Sequence, residues 1–248
     1  MKKAFTLLLC GFLLFALAVP AFAQDTPEEL AAQYMREVSQ IIASGRYTVA
    51  GTHNESGLNN RQSAIRYARD GGLVVVKADR GLDVSFIPSI LLLPVWYPAA
   101  TVARLVWGQS YAVYGDGFSG WAYPKRNTLF RDSYTQSYDD RKSFLRDGNI
   151  ADLTFPEAGY EAQAATAPDG SPAVRVTFSG QHSQTEYVLG PGRLWYAKRT
   201  YSAIVYASAS LTLTEFSAQP DPAMIAAGTF KQLPEWLGVL LTCNNGAT

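Results

Sequence analysis

RYTVAGTHNESGLNNRQSAIRYARDGGLVVV, residues 46–76, sets the architecture, because its side chains alternate with a period of two. Tyr47, Val49 and Gly51 alternate with Arg46, Thr48 and Ala50, and Ile65 and Tyr67 alternate with Arg66 and Ala68. Successive side chains of an extended chain point to opposite faces, so the pattern predicts strands with one face in a core. Asn54 to Asn60 is rich in turn formers. Arg69-Asp70-Gly71-Gly72 reads as a tight hairpin into the apolar strand Leu73 to Val76.

The same rhythm continues downstream. Leu82, Val84 and Phe86 alternate again, and strands are expected over Tyr111–Tyr114, Phe118–Tyr123 and Thr128–Tyr134. Their turns are Gly115-Asp116-Gly117 and Pro124-Lys125-Arg126-Asn127. Ser143 to Phe155 reads as irregular or a short helix. Further strands are expected over Tyr160–Thr166, Ala173–Ser179, Thr185–Leu189, Leu194–Tyr201 and Ala203–Ser217. About ten or eleven antiparallel strands joined by short turns, with no βαβ rhythm, predict a mainly β fold with some α. The economical form is a curved antiparallel sheet, an open and incomplete β-barrel with a few covering helices.

Helix signals frame this sheet. Thr26-Pro27-Glu28-Glu29 offers a capping threonine, a proline at the first helical position and acids near the positive end of the dipole. Leu30, Tyr34, Val38, Ile41 and Ile42 follow at helical spacing, so an amphipathic helix over 27–43 is expected to lie on an apolar surface. PEWLGVLLTC, residues 234–243, reads as a short apolar terminal helix.

The first 23 residues read as a secretory signal: basic Lys2 and Lys3, an apolar Leu7–Ala18, and Ala21-Phe22-Ala23 as the cleavage site. Lipidation at Cys10 is disfavoured, because Leu9 is too large for a lipobox and the apolar run continues past the cysteine. Cleavage takes two of the 21 basic residues and none of the 21 acidic ones, so the mature chain lacks the basic field that nucleic acid requires. It also leaves Cys243 as a lone cysteine, so a periplasmic fold must stand on its core without a disulfide. Residues 24–248 are long enough for one domain, and no repeat or linker divides them.

Motifs of catalysis are missing. His53 and His182 lie far from any cysteine and outside metal-ligand spacing, and both read as solvated surface residues. Asp139-Asp140-Arg141-Lys142 reads as a solvated turn, since adjacent carboxylates on extended chain point apart. Gly115-Asp116-Gly117 is a hairpin turn, and Ser119 beside Gly120 has no credible histidine to activate it. No cofactor motif is present. The five tryptophans and many tyrosines suit a sheet core, an apolar cavity or a membrane interface better than base stacking.

VSFIPSILLLPVWYPAATVARLVW, residues 84–107, is an almost uncharged run inside this polar chain. It holds about a dozen large apolar side chains, each worth about 1.5–3 kcal/mol when buried. Its length matches a membrane span, but Pro88, Pro94 and Pro98 would break any helix and orphan carbonyls in lipid. Three readings remain: ordinary core, a lid or plug filling an apolar hollow of the sheet, or a surface that dips into a membrane.

Taken in order, the elements resemble the periplasmic lipoprotein-carrier family, the LolA/LolB-like proteins. The resemblance rests on Tyr47–Thr52 after the first helix, on Ala64–Arg69 followed by Leu73–Lys77, and on VYGDGFSGWAYP at 113–124. Leu211–Phe216, Pro220 and Phe230 resemble the family's closing elements. It implies an N-terminal helix, a curved sheet and a helical lid over a hydrophobic cavity. Arg69 stands where the family's carriers hold an arginine that helps close the lid, although Asp70 replaces the proline that follows it. About twenty residues between Phe86 and Tyr111, the apolar run itself, are additional to that pattern.

The function expected is a non-catalytic periplasmic carrier of a lipid, an acyl chain or a lipidated protein, with transient contact to a membrane surface. Phe86, Ile90, Leu92, Trp96 and Trp107, with Arg69, are the candidate ligand-binding residues. The alternative is an envelope sensor or protein-interaction module using the same surface. A hydrolase ranks third and would need His53 or His182 to converge on a serine and an acid.

Overall fold

The computed structural model describes residues 25–57, 60–78, 105–132, 142–202 and 207–234, together with Leu237. Helix α1 (Pro27–Ser44) opens it, with Thr26 and Glu29 capping each other reciprocally and Gly45 closing the far end in the left-handed region. Ala31, Tyr34, Met35 and Val38 form its buried stripe, while Leu30, Ile41 and Ile42 flank the same core.

Strands β1 (Arg46–Ser56), β2 (Arg61–Asp70), β3 (Leu73–Ala78), β4 (Ser110–Gly115), β5 (Phe118–Tyr123) and β6 (Thr128–Asp132) follow as one meander. After a short helix α2 (Phe144–Asp147) come β7 (Glu161–Thr166), β8 (Pro172–Ser179), β9 (Ser183–Gly190), β10 (Arg193–Tyr201) and β11 (Ala207–Ser217), a second meander. Helix α3 (Pro222–Ile225), the 3-10 turn Ala226–Thr229 and β12 (Lys231–Pro234) complete the order. All twelve strands form one open sheet, β12-β6-β5-β4-β3-β2-β1-β11-β10-β9-β8-β7, antiparallel except where β12 runs parallel to β6.

The mainly β, open-sheet expectation therefore holds, with twelve strands among the described residues against the ten or eleven expected; the alternating Leu82–Phe86 lies outside them. The addition is β12, whose last residue, Pro234, the sequence pattern places in a terminal helix; most of that segment lies outside the described residues. The signal segment, residues 84–104, Asp139–Arg141 and Cys243 also lie outside them. Asn54 to Ser56, read as turn, instead continue β1, held by pairing with β2 on one side and β11 on the other.

The seam between the meanders depends on a bulge. Ala50 pairs with Glu215 but Gly51 pairs with Leu213, leaving Thr214 as the extra residue of β11. The slip puts Phe216 on the same face as Leu213 and Leu211, which a regular strand would forbid. Gly51 is required here: a Cβ at that position would lie 2.2 Å from the Thr212 carbonyl oxygen. A second slip at Trp195 lets both Leu194 and Ala197 enter the same core.

The halves of the sheet bury different faces. Under α1, Tyr47, Val49, Tyr67, Val174, Val176, Tyr187, Leu189, Leu194, Leu211, Leu213 and Phe216 form the main core. The β2–β6 half buries its opposite face: Ala68, Val75, Val113, Ala122 and Leu129 pack beneath Met224 and Ala227. That second cover is fastened by Arg66, which reaches across the sheet to Glu215 at 2.7 Å and to Asp221 at 3.0 Å. Asp221 in turn caps α3 through the Ala223 and Met224 amides.

Candidate functional site: an apolar wall beside the helix

Directly opposed residues of adjacent strands share a face, so the register assembles the site row by row. On the α1 face one row runs Val49, Tyr67, Val76, Ala112, Trp121, Phe130 from β1 to β6. Its neighbour runs Tyr47, Arg69, Val74, Tyr114, Ser119. Val76 packs against both the core under α1 and the cluster of Val74, Ala112, Tyr114 and Trp121, so the wall continues that core sideways. Every described member of that cluster comes from β3, β4 or β5.

Trp107 stands at the far end of the wall. It meets Tyr123 edge-on at 5.5 Å between ring centroids and Phe130 at the same separation, with Tyr123 and Phe130 in turn 5.9 Å apart. Residues 105–107 form one helical turn whose carbonyls are gripped by the β5–β6 connection: Lys125 Nζ donates to Leu105 O and Arg126 Nε to Val106 O. The last three residues of the apolar run, 105–107, are thus tied to the wall's outer edge. Leu105 and Val106 themselves are exposed, by 70% and 42%.

At the near end a strap, residues 142–155, lies on the sheet. Phe144, Ile150 and Leu153 sink into the main core. Tyr67 Oη accepts the Ile150 amide at 3.0 Å, and Tyr187 Oη donates to the Thr154 carbonyl at 2.9 Å. Burial pushes the Tyr187 hydroxyl up to about 12, with Arg199 pulling in the opposite direction. Arg199 also pairs with Asp152 at 3.5 Å. Lys142, expected in a solvated turn, is half-buried and paired with Asp147.

Of the sequence-predicted site residues, Trp107 joins the wall as described, and Arg69 lies in its second row between Tyr47 and Val74, its Nε donating to Gly71 O at 3.1 Å. Phe86, Ile90, Leu92 and Trp96 lie outside the described residues. The wall's other members, Val74, Val76, Ala112, Tyr114, Trp121 and Phe130, carry no signal that singles them out in the sequence. Their alternation is visible there, but which face of the meander adjoins α1 is not.

His53 corrects the sequence reading outright. It is fully buried, 0% exposed, against the Phe144 ring and Gly148, because Gly148 at positive φ leaves room for the imidazole that a Cβ would crowd at 3.2 Å. Burial lowers its pKa; the Phe144 backbone and the carboxylates of Glu55 and Asp147 act against that, and Arg61 acts with it. His182 is exposed, as expected. Among the described residues, the ring nitrogens of His53 meet no serine or acid. No cluster of metal-ligating side chains occurs among the described residues, and no helix among them is long and apolar enough to cross a membrane.

No family model matches the chain, and no curated protein matches it. Among solved structures it is similar to an uncharacterized conserved protein from Thermus thermophilus, at 10% identity and a TM-score of 0.35, over 82% of this chain and 98% of that one. It is also similar to a LolA superfamily protein from Nitrosomonas europaea, at 10% identity and a TM-score of 0.33, over 78% of this chain and 95% of that one. A DUF1329 family protein from Desulfovibrio piger is similar at 9% identity and a TM-score of 0.29, over 80% of this chain and 95% of that one. At these values the likenesses say nothing of ligand or activity.

Proposed function

We propose that the chain is a non-catalytic periplasmic binding or carrier protein for a hydrophobic ligand: a lipid, an acyl chain or a lipidated protein. The observation that carries this reading is the two-sided apolarity of β3–β5. These strands have a core on the face under Met224 and Ala227, and on the other face a second apolar cluster in which Val74, Ala112 and Tyr114 are buried and Val76 and Trp121 half-buried. A sheet half anchored by one core does not need a second apolar face for its own register. A ligand chain laid along that face would gain about 0.8 kcal/mol per buried methylene, enough for capture yet reversible for a short acyl chain. The signal segment and the hairpin resemblance at 113–124 support the compartment and the ligand class. The reading needs no cofactor and no nucleic acid, and its membrane contact is transient, at delivery.

The test is titration of the delipidated protein with a fluorescent fatty acyl probe. Saturable binding is expected, weakened about tenfold or more by Val76→Ser or Trp121→Gln, as loss of one buried apolar side chain predicts. Charged residues at Leu92 and Trp96 test the sequence-predicted part of the site in the same assay. Absent binding, or binding indifferent to the wall variants, refutes the carrier reading. The exposure of Leu105 and Val106 favours the alternative, a docking module for an envelope protein. Native mass spectrometry of protein taken from the cell envelope separates the two, by showing co-purified lipid or a co-purified protein.

A further inference from the structure

His53 sits where strap and sheet meet. It projects from β1 between its opposed neighbours Ser63 on β2 and Leu211 on β11. Phe144 stands edge-on to its ring at 6.3 Å, and Gly148 closes over it. Among the described residues neither ring nitrogen makes a well-formed hydrogen bond, and the Phe144 backbone is the one polar group close enough to favour a proton there by hydrogen bonding. A buried imidazole in that condition is tolerable while neutral, but a proton would place an unsolvated cation beneath the strap.

We propose that His53 is a proton-operated catch for the strap. In mildly acidic solution the ring takes up a proton, and the strap lifts from β1 and β11 to hydrate it. The part that moves is the Phe144–Ile150 portion. Lifting Ile150 also breaks its amide's hydrogen bond to Tyr67 Oη, and Tyr67 stands in the same row as Val76, Ala112 and Trp121, so opening the strap extends the apolar wall.

The charges around the ring set the sign. The Phe144 backbone of the strap is the strongest influence favouring the proton; on its own strand Glu55 favours it too, and on β2 Arg61 opposes it. On the strap Asp147 favours it, but this carboxylate is shared with Lys142 at 3.8 Å, which blunts its pull. From β10, Arg199 lies 5.6 Å from the Phe144 ring and is engaged with Asp152. No carboxylate hydrogen-bonds the ring among the described residues, and desolvation outweighs the Phe144 backbone and both carboxylates, so the pKa is lowered. The closed strap therefore keeps its full stability above the ordinary histidine range and loses it as pH falls below that range toward the lowered value. In that interval the opening equilibrium rises by up to about tenfold per pH unit.

Only two histidines occur in the chain, which makes the experiment clean. Imidazole NMR of the intact protein from pH 8 to 4.5 is expected to show His53 titrating below the ordinary histidine range. Hydrogen exchange, corrected for intrinsic pH dependence, is expected to show amides 144–153 losing protection in step with His53 while α1 and β9 keep theirs. In His53→Leu or His53→Gln the strap is expected to hold its protection down to pH 5. The proposal is overturned if His53 titrates in or above the ordinary histidine range, or if strap protection does not follow His53 in the wild-type protein. Loss of protection at the same pH in a folded His53 variant overturns it too. None of these readouts uses a ligand, so failure of the carrier reading leaves the catch to be judged alone.

Discussion

The two halves of this sheet handle apolar surface differently. In β7–β11 with β1, one face meets α1 and the strap, and large side chains close the space between them: Tyr187, Leu189, Leu194, Leu211 and Phe144 are fully buried. In β2–β6 the cover sits on the opposite face and is small, a short helical segment around Met224 and Ala227 over alanine, valine and leucine. The large aromatic side chains of that half, Tyr114, Trp121 and Phe130, lie on the face that α1 shares, and Tyr123 joins them through its contact with Phe130. One half is therefore built as a core, whereas the other has a modest core and a broad apolar wall. Val74, Ala112, Tyr114 and Phe130 of that wall are buried, so what it leaves accessible to a guest is confined to half-buried residues such as Val76 and Trp121.

Mutations break or sharpen that contrast. The largest effect is expected from Leu211→Ala, which opens the fully packed half and should cost about 2–5 kcal/mol in denaturant melts. Trp121→Gln in the wall should cost less than half of that loss, and equal costs would show that the wall is core. Gly51→Ala comes next, at about 1–3 kcal/mol, because the new Cβ strikes backbone at Thr212 rather than a movable side chain.

A smaller effect belongs to Tyr187→Phe, which removes the hydrogen bond to Thr154 and should cost about 1 kcal/mol. Because the Tyr187 hydroxyl is pushed up to about 12, its neutral form stabilises the fold fully below the ordinary tyrosine range. That contribution fades as pH rises toward the raised value, so the variant should lose part of the alkaline limb of the pH–stability curve.

The smallest effect is Asp221→Asn, at about 1 kcal/mol or less for a partly exposed ion pair. Burial would raise this carboxyl, but the hydrogen bond from Arg66 and the Ala223 and Met224 amides outweigh it and hold the pKa low. Its stabilisation is complete above the ordinary carboxylate range and is lost as pH falls through the lowered value. Acid melts of wild type and variant should converge there. A variant with a much larger loss would mean that the second cover, not α1, anchors the β2–β6 half.

Period-two alternation makes most strands legible, and the cap signals at Thr26 and Glu29 make α1 legible to within a residue. Its buried stripe is half legible: Tyr34 and Val38 are buried as their spacing predicts, Ala31 and Met35 complete the stripe, and Leu30, Ile41 and Ile42 only flank it. β12 is hidden because four residues, one of them proline, carry no alternation, and its pairing with β6 is parallel and remote in sequence. The wall is half legible. Trp107 stands out for its place in the apolar run, but Trp121 and Tyr114 look like ordinary strand residues until the register places them beside Val76. His53 is misread because nothing near it in the chain announces the strap, whose Phe144 and Gly148 arrive from far downstream.

By itself the sequence determined what is local: where strands alternate, where turns break them, how α1 starts and stops, and that a long uncharged run interrupts a polar chain. Those features follow from dihedral preferences and from side-chain period, which act over a few residues. Only the tertiary structure decided which face of each meander meets α1, which bulges bring Phe216 and Leu194 inward, and which histidine is sealed from water. Both faces of a two-sided apolar strand look alike along the chain, and only the partner strands and covers that arrive from elsewhere make one a core and the other a wall.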